Sequence, residues 1–128
     1  MPGSLTATLE ADGRAVLPDL DFPTGTSALA AGEYASLDLL AGYLRDNPAL
    51  RVALVGHTDT DGSLDGNIAL SKRRARSVMD RLVEVHGVPR RQLTAEGMGY
   101  LAPIANNLSA AGREANRRVE VIILDNGD

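Results

Sequence analysis

Arg74 is the residue that first calls for a chemical explanation. At helical periodicity the segment Asn67 to His86 gathers Ile68, Leu70, Ala75, Val78 and Leu82 into one apolar stripe, with Lys72, Arg73, Arg76 and Asp80 on the opposite side. Arg74 falls inside the edge of the stripe, one turn after Leu70 and one turn before Val78, and Asn67 lies two turns before it on nearly the same line. A guanidinium taken out of water is costly unless it is paired. Two readings are open. One is an internal salt bridge, or a side chain whose head reaches water. The other is a clamp for a ligand carboxylate, which the planar guanidinium meets through two parallel hydrogen bonds. Asp59 is the acid best placed to share such a site, because it follows a strand-like run and opens the loop that leads into the helix of Arg74. Strand ends in open α/β sheets carry ligand sites. Alone, Asp59 reads as a loop cap, and Asp61 and Asp65 as solvated turn acids. His57 and Asp59 are too few for a metal site, which needs three or four converging ligands, so neither metal nor cofactor is expected. His86 reads as a helix cap.

The elements that must hold these residues follow from local pattern. Arg51 to His57 reads as a buried strand, Thr58 to Gly66 as a polar loop, and Asn67 to His86 as a helix closed by Gly87 and Pro89. Upstream, Leu5 to Glu10 and Ala15 to Leu20 are β-prone, and Asp12-Gly13 between them is a hairpin signal. A loop over residues 22–27 leads to a helix carrying Leu29, Leu37, Leu40 and Leu44, which must stop at Asn47-Pro48. Leu93 to Gly97 is a third strand. Residues 98–115 are mostly irregular, with a short helical turn near Gly112-Arg113-Glu114, and Arg118 to Leu124 is a β-branched last strand. The order β-α-β-α-β-(short α)-β predicts an α/β sandwich, a mixed sheet with helices packed on one face.

The chain has 128 residues, 44% of them hydrophobic, and no cysteine. That size suits one domain with a real core, and it excludes disulfides, thiolate nucleophiles and thiolate metal sites. No apolar run approaches the ~20 residues of a membrane span. Met1-Pro2-Gly3-Ser4 opens no signal peptide, and a signal or partner domain is expected to have preceded it in a longer protein. Charge is segregated: residues 1–71 hold ten acids against three arginines, and residues 72–118 hold ten bases against four acids. The net charge is −4 and there are four aromatics, which argues against nucleic acid. An acidic half meeting an arginine-rich half suits a ligand with both an amine and a carboxylate.

Three motifs in order carry a resemblance: Gly56-His57-Thr58-Asp59, the run Asn67-Ile68-Ala69-Leu70-Ser71-Lys72-Arg73-Arg74-Ala75, and Gly112-Arg113-Glu114-Ala115-Asn116-Arg117-Arg118-Val119-Glu120. Together they resemble the OmpA-like domain, the C-terminal peptidoglycan-binding module of outer-membrane proteins, Pal-type lipoproteins and flagellar stator subunits. The resemblance covers roughly residues 14–124, leaving 1–13 as an extension or first hairpin strand and 125–128 as a tail. It implies non-catalytic binding of peptidoglycan through meso-diaminopimelate in the stem peptide. Asp59 takes the place that binds the ammonium, and Arg74 the place that binds the adjacent carboxylate. Asn67 matches a residue that supports loop and ligand, and Arg117 one that contacts a further peptide carboxylate. Thr58 and the loop Thr24-Gly25-Thr26 line the site, largely through backbone groups. Phe22 matches a family phenylalanine, and Pro23 replaces an aspartate common there. The implied setting is the periplasm of a Gram-negative bacterium, in a protein tethered to a membrane that this chain does not itself span, and a homodimer is compatible with it. Two other readings stay open: a hydrolase using His57 and Asp59, and a protein-interaction module using the basic helix face at Arg73 and Arg76. The remaining arginines read as solvated (Arg81, Arg90, Arg91) or structural (Arg113, Arg118).

Overall fold

A computed structural model describes residues 4–23 and 25–127. Thr24, expected to line the site, lies outside the described residues, as do residues 1–3. The chain runs α1 (Ser4–Asp12), β1 (Arg14–Val16), α2 (Ala35–Asp46), β2 (Arg51–His57), α3 (Leu64–Glu84), β3 (Leu93–Gly97), α4 (Ala110–Asn116) and β4 (Arg118–Asp125), with a 3-10 turn at Arg90–Gln92. The four strands form one mixed sheet in the order β1-β4-β2-β3. β2 and β3 are parallel, and β4 lies antiparallel to both β1 and β2. This is the α/β architecture expected from the pattern, with one element more.

That element corrects the reading of the N-terminus. Residues 5–10 are helix, not strand, and Asp12-Gly13 makes no hairpin. Leu5 and Leu9, one helical turn apart, are both buried in the core, while the intervening Ala7 is exposed. Gly13 adopts φ 74°, and its N–H reaches back to the Leu9 carbonyl at 2.9 Å, which closes the helix as a left-handed residue does. β1 is also shorter than the run Ala15 to Leu20. Leu17 adds one more bond to Val119, and Pro18 then has no N–H to continue. α2 starts at Ala35, so Leu29 is not in it; Leu29 is buried in the preceding loop, its N–H held by Ser77 Oγ.

The core lies between the helices and one sheet face. Val52 and Leu54 of β2 and Val119 and Val121 of β4 point into it beside Leu37, Leu40 and Leu44 of α2 and Val78 and Leu82 of α3. At the far end Gln92 is buried and its Nε2 faces the carbonyls of Leu44, Asn47 and Leu50, which gives donors to the C-terminal turn of α2. At the near end α3 lies almost on the sheet. A Cβ on Gly56 would sit 2.1 Å from the Ser71 carbonyl oxygen, and one on Gly97 would sit 2.5 Å from the Lys72 nitrogen. Gly56 and Gly97 are register partners across β2 and β3. Two facing glycines therefore set how closely α3 approaches, and with it the height of Asn67 and Arg74 above the sheet end.

Candidate functional site

The site forms where β2 ends. β2 delivers Thr58 and Asp59 into the loop before α3. Ser63 caps α3, its Oγ accepting from the Gly66 N–H. Asn67, in the first turn, donates through Nδ2 to the carbonyls of Asp61 at 2.8 Å and Ser63 at 2.9 Å, so the loop 59–63 is tied to the helix that carries Arg74. Asp61 N–H returns a bond to Asp59 Oδ1 at 2.9 Å. Thr58 is buried, its N–H on the Gly99 carbonyl and its hydroxyl on the carbonyl of Asp59. The third approach is β4: His57 pairs with Arg118, which sets Arg117 beside Asp59.

Asp59, Arg74, Asn67, Thr58, Gly25 and Arg117 all line one cleft of about 710 Å³. Thr26 contributes from behind it: its carbonyl accepts from Arg74 Nε at 2.9 Å. The guanidinium of Arg74 lies over the Phe22 ring, 5.3 Å from its centroid. Among the described residues no carboxylate forms an ion pair with Arg74. Burial lowers the tendency of Arg74 to hold its proton, the charge of Arg117 lowers it further, and Asp59 only partly offsets the two. Arg74 is thus a half-buried cation placed and oriented by a carbonyl and a ring, with no ion pair among the described residues.

Asp59 is engaged differently. Arg117 Nη1 donates to its Oδ2. Burial alone would raise the Asp59 carboxyl, but the Asp61 N–H and the Arg117 guanidinium outweigh it and hold the group below the ordinary carboxylate range. Asp59 is therefore an anion at neutral pH. His57 does not join this group. It lines a smaller adjoining cleft of about 310 Å³, and its buried Nε2 lies 4.0 Å from Glu120 Oε2. Burial, with Arg118 and Arg14 opposing Glu120, lowers its pKa to about 4, so its ring is neutral.

Several residues matter here that the spacing did not single out. Ser71 is fully buried; its hydroxyl donates to Ile68 O and accepts from the Gly99 N–H, locking the turn after β3 to α3. Asn116, also fully buried, accepts from the N–H groups of Ile104 and Ala105 and donates to Ala105 O and Asn107 Oδ1, fixing the loop ahead of Arg117. Glu114 lines the main cleft. Arg81 is not simply solvated: it reaches the carbonyls of Leu29, Ala30 and Gly32 and lies 5.7 Å from the Tyr34 ring centroid. Buried polar residues in the LS and NR segments were the signal available for Ser71 and Asn116. Nothing in local pattern marks Arg81. His86, expected to cap a helix, faces Asp38 at 3.5 Å.

Comparison with known proteins decides the family. Residues 21–117 match the OmpA family. This chain belongs to the OmpA family. Outer membrane porin F of Pseudomonas aeruginosa is 38% identical to the OmpA-family domain over 102 residues, covering 80% of this chain and 29% of the porin. Peptidoglycan-binding protein ArfA of Mycobacterium tuberculosis is 38% identical over 102 residues, again 80% of this chain and 31% of the relative. The domain thus spans about a third of the length of these relatives. The crystal structure of the peptidoglycan-associated lipoprotein from Burkholderia pseudomallei superposes with a TM-score of 0.74 at 25% identity, covering 97% of this chain and all of that one.

Proposed function

We propose that this OmpA-family domain binds peptidoglycan without catalysis, through meso-diaminopimelate in the stem peptide, and anchors a larger envelope protein to the cell wall. The names of the ArfA and Burkholderia relatives support peptidoglycan as the ligand. The observation that carries the finer reading is a single cleft lined by the anion Asp59 and by Arg74, which pairs with no carboxylate of the described residues. The far centre of diaminopimelate presents an ammonium and a carboxylate on one carbon, one charge for each. Asn67 holds the loop, Thr58, Gly25 and Thr26 shape the wall, and Arg117 takes a further peptide carboxylate. The setting is the periplasm of a Gram-negative cell, the protein being outer-membrane-associated. The hydrolase alternative needs His57 and Asp59 to cooperate, and His57 instead stands neutral against Glu120.

Each charge-assisted hydrogen bond contributes ~1.5–3 kcal/mol net. Two of them, offset by desolvation, give a single-site dissociation constant of roughly micromolar to millimolar. Asp59→Ala and Arg74→Ala are expected to abolish retention on purified sacculi while leaving the circular dichroism spectrum unchanged. Retention by both variants would place the site elsewhere. Lysine lacks the distal carboxylate and would leave Arg74 buried and unpaired. In calorimetry a lysine-type stem peptide should therefore bind at least ~10-fold more weakly than a diaminopimelate-type one. Equal affinities would refute the charge-pair reading.

A further inference from the structure

We infer that Arg117 is an internal competitor for Asp59, so that the cleft favours ligands that bring a second carboxylate to receive the displaced guanidinium. The inference rests on the binding reading above and adds the order of contacts within it.

Asp59 has two acceptor oxygens. Oδ1 is taken by the Asp61 N–H, which belongs to the loop itself, and Oδ2 by Arg117. A ligand ammonium that reaches Asp59 meets a cation already in place. The two arginines of the cleft are held to different degrees. Arg74 is pinned by the Thr26 carbonyl on one side and the Phe22 ring beneath it. Arg117 is fixed at its backbone, where its N–H meets the carbonyls of Arg113 and Glu114 at the end of α4. Its side chain, 43% exposed against 12% for that of Asp59, makes one ion pair among the described residues, the one to Asp59. It lines both the main cleft and the adjoining one, so open volume lies on either side of it. Glu114, one turn earlier on α4, lines both clefts as well and offers an acid on that path. Arg117 therefore swings on a fixed root, while Arg74 stays.

The exchange has a definite sense. A ligand with one ammonium and one carboxylate whose ammonium takes the place of the Arg117 guanidinium on Asp59 Oδ2 sends Arg117 into solvent without replacement. A ligand carrying a second carboxylate returns an ion pair to Arg117. The apparent affinity of a site that is open only part of the time falls by that fraction. If Arg117 leaves Asp59 for about a third to a tenth of the time, the one-carboxylate ligand is weakened about three- to tenfold.

The test is an NMR titration of the full 15N-labelled chain, following the backbone amides of Asp59 and Arg74. Two probes are used: D-norleucine, with one ammonium and one carboxylate, and the tripeptide L-Ala-γ-D-Glu-meso-diaminopimelate. Arg117→Ala and Arg117→Gln are expected to bind D-norleucine about three- to tenfold more tightly than the parent, and to bind the tripeptide no more tightly or more weakly. Arg117→Lys, which keeps a cation on a flexible stem, should restore parental behaviour with both. A residue that merely supported the fold would weaken both ligands when removed. Unchanged or weaker D-norleucine binding in Arg117→Ala, or no response to D-norleucine in any variant while the tripeptide binds, overturns the competitor role. Asp59→Ala separates the two levels: if it still binds the tripeptide, the binding reading itself has failed, whereas if it does not and Arg117→Ala fails to tighten D-norleucine, only the competitor role has.

Discussion

A carboxylate and a guanidinium meet in one cleft either already joined or held apart, and this domain contains both arrangements. Asp59 is joined to Arg117, and Arg74 is held apart by a carbonyl and an aromatic ring. Periodicity alone made Arg74 conspicuous, because a cation inside an apolar stripe is legible from spacing. That the cation is relieved by Thr26 O rather than by an acid was not legible, since Thr26 is 48 residues away and the contact depends on how loop 22–27 folds back. The Asp59–Arg117 contact likewise depends on the pairing of His57 with Arg118, a register no local pattern encodes. His57 gives a prediction at this scale. Its folded pKa of about 4 lies below the ordinary value of 6.5, so below that ordinary value the unfolded chain binds the extra proton and folding loses stability as pH falls. The loss begins near pH 6.5 and is nearly complete at about pH 4, amounting to about 3 kcal/mol. Urea midpoints of the parent should fall across this window, and those of His57→Gln should fall distinctly less. Parallel curves for the two would show that His57 is not the group responsible.

The elements α3, β2 and β3 act as one mounting for the site, and facing glycines determine its tightness. Gly97→Ala would drive a methyl against the Lys72 nitrogen and the Ile68 carbonyl, backbone atoms that cannot turn aside. The expected result is a destabilisation of about 2 kcal/mol or more in chemical denaturation, together with shifted amide resonances at Asn67 and Arg74. A neutral effect on both would mean that α3 rides further from the sheet. Asn116→Ala should weaken the fold by a similar amount, about 2 kcal/mol, because two loop N–H groups lose their acceptor. β2, β3 and β4 were readable from runs of apolar and β-branched residues. α1 was not, for a definite reason. Leu5, Ala7 and Leu9 alternate with Thr6 and Thr8, which fits a strand, while Leu5 and Leu9 alone also fit one helical face. Burial of Leu5 and Leu9 with exposure of Ala7 resolves the ambiguity, and burial belongs to the fold, not to the segment.

At the scale of the molecule, the division into an acidic and an arginine-rich half has a plain structural use. Four of the twelve arginines reach loop carbonyls: Arg74 that of Thr26, Arg81 those of Leu29, Ala30 and Gly32, Arg113 that of Asn107 and Arg118 that of Ala102. Hydrogen bonds of this kind are little affected by dissolved ions, whereas exposed opposite charges are screened. The thermal midpoint should therefore move by less than about 3 °C between low salt and ~0.5 M salt, while tripeptide affinity, which in the proposed function draws on charges at a cleft open to solvent, should fall several-fold over the same range. A midpoint as salt-sensitive as the binding would mean that ion pairs, not carbonyl contacts, hold the loops. The sheet topology bears on mechanics as well. β1 begins at Arg14 beside Ile122, part-way along β4, and β4 ends at Asp125 beside Arg51, at the pole remote from Asp59, while His57 and Arg118 mark the near pole. A pull on Gly13 or on Asp125, resisted by a ligand gripped in the cleft, therefore runs along the strand axes. A pull on Gly13 then strains the β1–β4 and β4–β2 hydrogen bonds in shear, and a pull on Asp125 strains the β4–β2 bonds alone, in each case all together and not one after another like a zip.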